Sequence, residues 1–196
     1  MRAFDRTVLR TPRLRLRPLE HPDAAALFAI FADLRVARYL SKPPWTSIEV
    51  ARERIARDIE AMGAGRYVCL GIQAEGDGRL LGECSLFNFH EQSRRAELGY
   101  TLAFDSWGNG YMTEALSCLL EFGFAELSLH RVEADVDPRN VGSARTLERL
   151  GFKKEGHLRE RWIVAGEVSD SSLYGLLARD WGARSRRAPQ RGPIAT

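Results

Sequence analysis

Residues 95–127 read RAELGYTLAFDSWGNGYMTEALSCLLEFGFAEL, and they join a strand pattern to a helix pattern. In the first part, residues 96, 98, 100 and 102 fall on one face and residues 97, 99 and 101 on the other, which is the period of a β-strand. From Tyr111 to Phe124 the apolar residues recur at helical spacing. The segment between them is Trp107-Gly108-Asn109-Gly110. The stretch therefore predicts a strand that turns sharply into a helix through two glycines.

This glycine turn has the properties of a phosphate-binding site. Glycine permits positive φ and lets a ligand approach the backbone. The first turn of a helix carries N–H groups that have no intrahelical partner and a partial positive charge. Such a site favours a phosphate or a pyrophosphate. A plain glycine-rich turn is the alternative, because short glycine motifs are weak evidence on their own.

Two other phosphate motifs fit the turn less well. A Walker loop needs Gly-Lys followed by Ser or Thr, and the chain contains no such sequence. A dinucleotide fingerprint needs a third glycine, and Thr113 stands in its place. Glu133, on the next predicted strand, could still imitate the ribose-binding acid. A dinucleotide-binding oxidoreductase therefore stays open as an alternative, although it would need an early β-α-β unit.

Four segments in order resemble the GNAT acetyltransferases, and specifically their RimJ/RimL-like branch. The first is the central one, AELGYTL followed by WGNGYMTEA (Trp107–Ala115). The others are TPRLRLRPL (Thr11–Leu19), NVGSARTLERLGFKKEG (Asn140–Gly156) and DSSLYGLL (Asp170–Leu177). The likeness covers nearly the whole chain. It implies an acetyl-CoA-dependent N-acetyltransferase, with acetyl-CoA as co-substrate and an amine as acceptor.

The predicted element order is β-α-α-β-β-β-α-β-α-β-β, a mixed α/β layout with seven strands and about four helices. The resemblance implies a GNAT-like fold with a mostly antiparallel sheet. In that fold the parallel fourth and fifth strands splay apart, and pantetheine lies between them. Length favours a single domain, residues 1–182. Residues 183–196 contain four arginines and no acid, and we expect a disordered basic tail there.

Composition limits the partners and the compartment. The formal charge of +3 comes from the tail, so no DNA-binding face is expected. No apolar run is long enough to predict a membrane span, and the N-terminus lacks a signal core. Three cysteines that are far apart (Cys69, Cys84 and Cys118) predict neither a disulfide framework nor a zinc site. A reducing cytoplasm is therefore the expected location, with no metal cofactor. Similar proteins form dimers, which gives a homodimer as an expectation.

The resemblance implies which residues hold acetyl-CoA. Backbone N–H groups from Gly108 to Thr113 would wrap the pyrophosphate, and backbone groups of Leu102 to Phe104 would pair with pantetheine. Asn140 and Ser143, in the N-x-x-S pattern, would lie near pantetheine and the sulfur. The predicted cofactor-binding residues are Leu102, Ala103, Phe104, Trp107, Gly108, Asn109, Gly110, Tyr111, Met112, Thr113, Asn140 and Ser143.

The predicted catalytic residues are Glu97 and Ser143. Glu97 shares a strand face with the small Gly99, so its carboxylate could deprotonate an ammonium, through water; a structural ion pair with an arginine is the alternative. Many members of the family have a tyrosine as general acid where this chain has Leu147. The acid is then expected to be Ser143, although a helix N-terminal serine bonded to backbone is a second interpretation.

Three residues are predicted to contact the acceptor: Trp45, Asp170 and Tyr174. Trp45 follows the first helix in a loop, and packing is its alternative role. Asp170 would attract an amine, while a turn-stabilising aspartate is equally compatible with its position. The acceptor itself stays open between a protein N-terminus, as in the family's ribosomal-protein enzymes, and a small-molecule amine. A non-catalytic CoA-binding module is the alternative function, because the tyrosine is missing.

Overall fold

A computed structural model describes residues 3–185 of the chain. The helices are α1 (Ala24–Ala32), α2 (Leu34–Ala37), α3 (Ile48–Gly63), α4 (Tyr111–Glu121), α5 (Val141–Leu150) and α6 (Ala178–Ser185). The strands are β1 (Leu9–Arg10), β2 (Leu14–Pro18), β3 (Val68–Ala74), β4 (Leu80–His90), β5 (Arg95–Leu102), β6 (Arg131–Val136), β7 (Lys153–Val164) and β8 (Glu167–Leu177). A π-helical segment, Phe122–Glu126, extends α4.

All strands join one mixed sheet in the order β1-β2-β3-β4-β5-β6-β8-β7. The β5–β6 pair is parallel and the other neighbouring pairs are antiparallel. The predicted mixed α/β class is confirmed, but the described residues form eight strands and six helices. The extra strand, β1, is two residues long and too short to show an alternating pattern. The extra helices are the four-residue α2 and the C-terminal α6.

The two central strands separate after three residue pairs. β5 and β6 are paired from Arg95↔Arg131 to Glu97↔Glu133. On its other side β5 stays paired with β4 as far as Gly82↔Leu102. Residues 98–102 therefore have a strand on one side and a gap on the other. In an antiparallel pair, only alternate residues direct N–H and C=O groups at the partner. The remaining residues of this part of β5 direct theirs into the gap.

Helices cover both faces of the sheet. Arg54 of α3 contacts Glu83 on β4, whereas the segment after α4 approaches Leu86 of the same strand at Gly123. Residues 83 and 86 differ by an odd number, so their side chains point to opposite faces. The largest fully buried side chains come from the strands and from α1, α3, α4 and α5. The sheet is thus the middle layer, and the gap between β5 and β6 lies in its centre.

The C-terminal helix α6 runs to Ser185, past the predicted domain boundary at residue 182. The rest of the expected basic tail, residues 186–196, lies outside the described residues. Within the described part, none of the helices has the length and hydropathy that crossing a membrane requires. The three cysteines are free thiols. Burial raises the pKa of Cys69 and of Cys84, which keeps both protonated in the core.

Candidate functional site

The glycine turn has the backbone geometry that the sequence predicts. Gly108 has a φ of 78° and Gly110 a φ of 77°, in the left-handed region that favours glycine. Gly110 directly precedes α4, and the N–H of Glu114 bonds to its carbonyl at 3.1 Å. The N–H groups of Tyr111 to Thr113 thus have no intrahelical acceptor. A Cβ added at Gly108 would meet nothing within 4 Å, so the outside of the turn is open to a ligand.

Residues from the N-terminal region fasten this turn to the rest of the molecule. The guanidinium of Arg13 donates to Glu114 Oε2 (2.7 Å) and to the carbonyl of Asn109 (3.1 Å). It also lies over the ring of Tyr111, 4.6 Å from the centroid. The Thr11 hydroxyl donates to Glu114 Oε1 at 2.5 Å. The segment immediately before β2 therefore holds both the glycine turn and the first turn of α4.

The backbone of residues 102–104 is partly occupied by internal hydrogen bonds. The indole N–H of Trp107 donates to the carbonyl of Leu102 at 2.8 Å. The N–H of Ala103 donates to the carbonyl of Leu81 at 2.8 Å. The ring of Phe104 packs against that of Trp107, with centroids 4.9 Å apart. The groups that remain available to an extended ligand lie mainly earlier in β5, where the gap begins.

A cleft of about 620 Å³ opens between the glycine turn, β5 and α5, and we name it the turn cleft. Arg139, Arg145 and Arg149 also line it and give it positive charge. Of the predicted cofactor-binding residues, Ala103, Phe104 and Asn109 do not line it. Those that do are Leu102, Trp107, Gly108, Gly110, Tyr111, Met112, Thr113, Asn140 and Ser143.

Ser143 has a partner that the sequence analysis did not identify. The Tyr100 hydroxyl lies 2.6 Å from Ser143 Oγ, and either oxygen can be the donor. Burial raises the pKa of Tyr100, so the phenol stays protonated. The side chain of Asn140 accepts the N–H of Ser143 at 3.0 Å and thereby caps α5. Leu147, where many relatives have tyrosine, is fully buried, and Tyr100 on β5 supplies a phenol instead.

A second cleft of about 710 Å³ lies over the other end of β5, and we name it the sheet cleft. The two clefts are continuous, and the hydrogen-bonded side chains of Tyr100 and Ser143 lie at their boundary. The other residues that line both clefts are Tyr39, Leu40, Thr101, Arg139 and Asn140. Glu97 lines the sheet cleft and accepts a hydrogen bond from the Asn88 side chain at 3.1 Å. Asn88 has a φ of 51° where the β4–β5 register shifts. The irregular backbone there places an amide donor against the carboxylate.

Glu97 is not in the arginine ion pair that was its alternative interpretation; within the described residues its hydrogen-bond partner is Asn88. The walls of the sheet cleft include Tyr39 and Leu40, which follow α2, and Trp162 of β7. Trp162 donates its indole N–H to Ser171 Oγ at 3.1 Å. The lining of the sheet cleft also contains the carboxyl group of Glu83 on β4, which is 6% exposed.

The three predicted acceptor-binding residues lie outside the lining of both clefts. Trp45 stacks on Phe31, with ring centroids 4.4 Å apart, which is the packing role of its alternative interpretation. Asp170 accepts the N–H of Glu160 and a hydrogen bond from His157, both at 2.8 Å, and stabilises the β7–β8 hairpin. Tyr174 is 5% exposed in the core. All three side chains therefore pack or form hydrogen bonds within the fold.

The two clefts fit the two parts of an acyl thioester of coenzyme A. The free N–H groups at the start of α4 and the arginines of the turn cleft suit phosphate groups. The gap beside β5 suits an extended chain with amide groups, because it offers unpaired backbone donors and acceptors. The sheet cleft, which adjoins the turn cleft at Tyr100 and Ser143, leaves room for a second reactant. Acetyl-CoA therefore fits the residues that are present.

Comparisons with known proteins agree with this geometry. The domain described as "Acetyltransferase (GNAT) domain" matches residues 13–153. The "Uncharacterized N-acetyltransferase p20" of Bacillus licheniformis is 34% identical over 173 residues, 88% of this chain and 97% of the relative. The "Spermidine N(1)-acetyltransferase" of Escherichia coli K12 is 26% identical over 158 residues, 81% of this chain and 82% of the relative. Among solved structures, "Mycobacterium smegmatis RimJ in complex with CoA-disulfide" has a TM-score of 0.76 and 27% identity, and the match covers 92% of this chain and 94% of that chain.

Proposed function

This chain belongs to the GNAT acetyltransferase family and is an acyltransferase, and on that basis we propose that it moves an acetyl group from acetyl-CoA to a primary amine. The acceptor is a protein N-terminal α-amine or a small-molecule amine. The observation that carries the proposal is the meeting of the turn cleft and the sheet cleft at Tyr100 and Ser143. A donor in one cleft and an amine in the other would meet there without an acyl-enzyme.

The residues around the turn cleft hold the donor. The N–H groups of Gly108 to Thr113 bind the pyrophosphate, and Arg145 at the rim binds phosphate charge, because Arg139 is already paired with Asp137 and Glu167. The unpaired edge of β5 aligns the pantetheine arm, while Asn140 fixes the start of α5 close to it. When bound, acetyl-CoA supplies an activated acetyl thioester. Holding donor and amine together removes most of the entropy cost of their encounter.

The proposed proton chemistry uses both sides of the junction. Glu97 is the general base and takes the acceptor's ammonium proton through water. Asn88 donates a hydrogen bond to Glu97 and thereby holds its carboxylate in place. Ser143, paired with Tyr100, is the general acid that hands a proton to the departing sulfur. The protonated Tyr100 can refill Ser143, because the two oxygens lie within hydrogen-bond distance.

Calorimetry tests the donor first. We expect micromolar binding of acetyl-CoA and no heat from NAD, and a melting scan should show the matching stabilisation. Absence of acetyl-CoA binding would overturn the proposal. An NAD response in its place would favour the dinucleotide alternative.

An amine screen then identifies the acceptor, with spermidine and peptides with free N-terminal serine or alanine as probes. Release of free thiol reports acetyl transfer. The variants Glu97→Gln and Ser143→Ala separate catalysis from a pure binding role. Loss of thiol release with unchanged acetyl-CoA binding supports the proposed enzyme, and thiol release at the wild-type rate in both variants would contradict these assignments.

A further inference from the structure

A buried carboxyl group in the floor of the sheet cleft has no part in the mechanism above. Glu83 lies in the middle of β4, paired with Thr101 of β5, and is 6% exposed. Glu97 is paired with Phe87 on the same two strands. Residues 83, 85 and 87 share one face with 97, 99 and 101. Glu83 and Glu97 therefore lie on opposite sides of the Ser85–Gly99 pair, which has the smallest side chains of the three pairs.

The two oxygens of Glu83 have unequal partners. Oε1 accepts a hydrogen bond from Arg54 Nη2 at 3.2 Å. Oε2 has the Cys69 thiol at 3.8 Å, and a thiol is a weak donor. One oxygen of a buried carboxyl group in the cleft lining is thus left without a strong donor. A buried polar atom of this kind calls for an explanation, because burial without good hydrogen bonds is unfavourable.

The surrounding charges do not neutralise the cluster. Arg54 binds Asp58 through Nε at 2.8 and 2.9 Å, so one guanidinium serves two buried carboxyl groups. The Tyr67 hydroxyl donates to Asp58 as well. Burial raises the pKa of Glu83, and the nearby Asp58 adds to the rise, while Arg54 and Cys69 oppose it. Because Asp58 and Glu83 share the single positive charge of Arg54, the cluster favours a proton on one of the two carboxyl groups.

Other charged groups of both signs line the sheet cleft around Glu83. They are Glu97 on β5, Asp135 on β6 with Asp137 and Arg139 after it, Arg161 and Glu167 on β7 and β8, and Arg38 and Lys42 in the segment after α2. Ligand atoms of Asp58, Cys69 and Glu83 lie within 4.8 Å of one another, which is a spacing that metal sites also show. The guanidinium of Arg54 is already the cation of this group, since it forms ion pairs with the carboxyl groups of both Asp58 and Glu83. The arrangement is therefore an arginine-centred cluster and not a metal site.

We propose that Glu83 is a second proton acceptor of the sheet cleft, and that it receives the proton which the acceptor ammonium loses. The assignment rests on the proposed acetyl transfer. It divides the work of the base between two carboxyl groups. Glu97 attracts the ammonium and takes its proton through water. Glu83, whose strand partner Thr101 lies four residues beyond Glu97 on the same face, receives that proton through the water of the cleft. The proton thus moves from N–H by way of water and Glu97 to a Glu83 oxygen, the amine keeps its electron pair, and the carboxylic acid later returns the proton to water.

The first measurement does not depend on turnover. The protein is labelled with ¹³Cδ-glutamate and titrated by NMR, and Glu83→Gln assigns the resonance. We expect the Glu83 signal to titrate clearly above about 4.3, the value of a free glutamate. Titration at or below that value would overturn the proposal. Glu83→Asp is a second variant that keeps a titratable group if Glu83→Gln disturbs folding.

The second measurement is the pH profile of kcat/KM, with acetyl-CoA and whichever of spermidine or an N-terminal alanine peptide is acetylated. Glu83→Gln should lower kcat/KM by about 100-fold and remove the acidic limb, with acetyl-CoA affinity unchanged. Glu83→Asp should be slower but keep that limb. Asp58→Asn is the matched control, because it perturbs the same cluster outside the cleft lining, and it should keep the limb.

The outcomes separate the two proposals. If the wild-type protein acetylates an amine and Glu83→Gln keeps the wild-type pH profile, the assignment of Glu83 is wrong while the proposed function stands. If the wild-type protein binds acetyl-CoA and acetylates no amine, the proposed function fails and the catalytic role of Glu83 fails with it.

Discussion

The hydroxyl oxygen of Tyr100 on β5 lies 2.6 Å from the hydroxyl oxygen of Ser143 on α5, although the residues are 43 positions apart. This pair joins β5 to α5 on the side where β5 and β6 have separated. It also stands at the boundary between the turn cleft and the sheet cleft. A proton released at one hydroxyl can be replaced from the other, which a single serine at a helix N-terminus could not achieve.

Removing either hydroxyl should slow the step in which the sulfur leaves. We expect Ser143→Ala to reduce kcat by about 100-fold, because general acid catalysis is of this order. Tyr100→Phe should reduce kcat by about 10-fold, since Ser143 stays but loses its proton source. Acetyl-CoA affinity, measured by calorimetry, should change less than threefold in both variants. Thr146→Ala, which removes a hydroxyl bonded to the Gly142 carbonyl in the same helix, is the control. Equal kcat in the three variants would refute the role of the pair.

The amide of Asn88 should determine how well Glu97 works. Asn88→Gly removes the donor and suits the positive φ of 51° at this position. We expect kcat/KM to fall about fivefold to tenfold, which corresponds to a hydrogen bond of about 1–1.5 kcal/mol to a partly exposed carboxylate. The free energy of unfolding should stay within about 0.5 kcal/mol of the wild-type value, because glycine adopts the positive φ of this position without strain. Asn88→Asp replaces the amide donor by a second carboxylate, so it should lower kcat/KM at least as much as Asn88→Gly. A profile identical to that of the wild-type protein would contradict this role.

The contacts of Arg13 should affect binding of the donor and leave the chemistry unchanged. Arg13→Ala removes the side-chain hydrogen bonds to Glu114 and to the carbonyl of Asn109, so the turn loses its direct contact with the segment before β2, while Thr11 still bonds to Glu114. We expect the Kd for acetyl-CoA to rise by about tenfold, with kcat at saturation almost unchanged. Arg10→Ala is the matched control, because Arg10 pairs with Glu75 away from the turn, and it should leave Kd unaffected. Similar Kd values for the two variants would show that the turn holds its shape without Arg13.

Stability should fall at acid pH through the pair Arg17–Asp23, whose side chains are 12% exposed each. Burial works against ionisation of Asp23, but hydrogen bonds from Arg17 and from the N–H of Glu20 outweigh it and lower the pKa of Asp23. A lowered folded-state pKa gives stability that is present above the unfolded value, about 3.9, and is lost as the pH falls below it. Asp23→Asn should therefore cost about 1–2 kcal/mol at pH 7 and much less near pH 2. Urea unfolding at both pH values measures this, and an equal cost would contradict the assignment.

The sequence was sufficient where local pattern and glycine chemistry determine structure. The strand, turn and helix of residues 95–127 are present as expected, and the positive φ values of Gly108 and Gly110 explain why glycine stands there. Pattern was insufficient for the β7–β8 hairpin. Its strand β8 begins at Glu167, where polar exposed residues such as Asp170 do not alternate with apolar ones.

The site itself depends on contacts between distant residues. The sequence pattern places Tyr100 only on one face of a strand, because no local sequence feature indicates that it contacts Ser143. Glu83 lies within the apolar segment LLGECSLF, and its partner Arg54 is 29 residues away on a helix. Predicting the sheet cleft would therefore require the packing of α3 on β4. In contrast, Trp45 and Asp170 look functional in sequence, and their contacts with Phe31 and with the hairpin are visible only in three dimensions.

The early separation of β5 from β6 has a consequence for how this chain can diverge. In the proposed function, the donor is bound by peptide groups of β5 and of the glycine turn, and every residue type except proline carries both the N–H and the C=O. Substitutions there change donor binding little as long as the backbone keeps its path. The proposed acceptor cleft is instead lined by side chains from several separate elements, such as Tyr39, Asn88 and Trp162. Point mutations in the lining of the sheet cleft can thus change which amine is accepted, while binding of the donor stays the same.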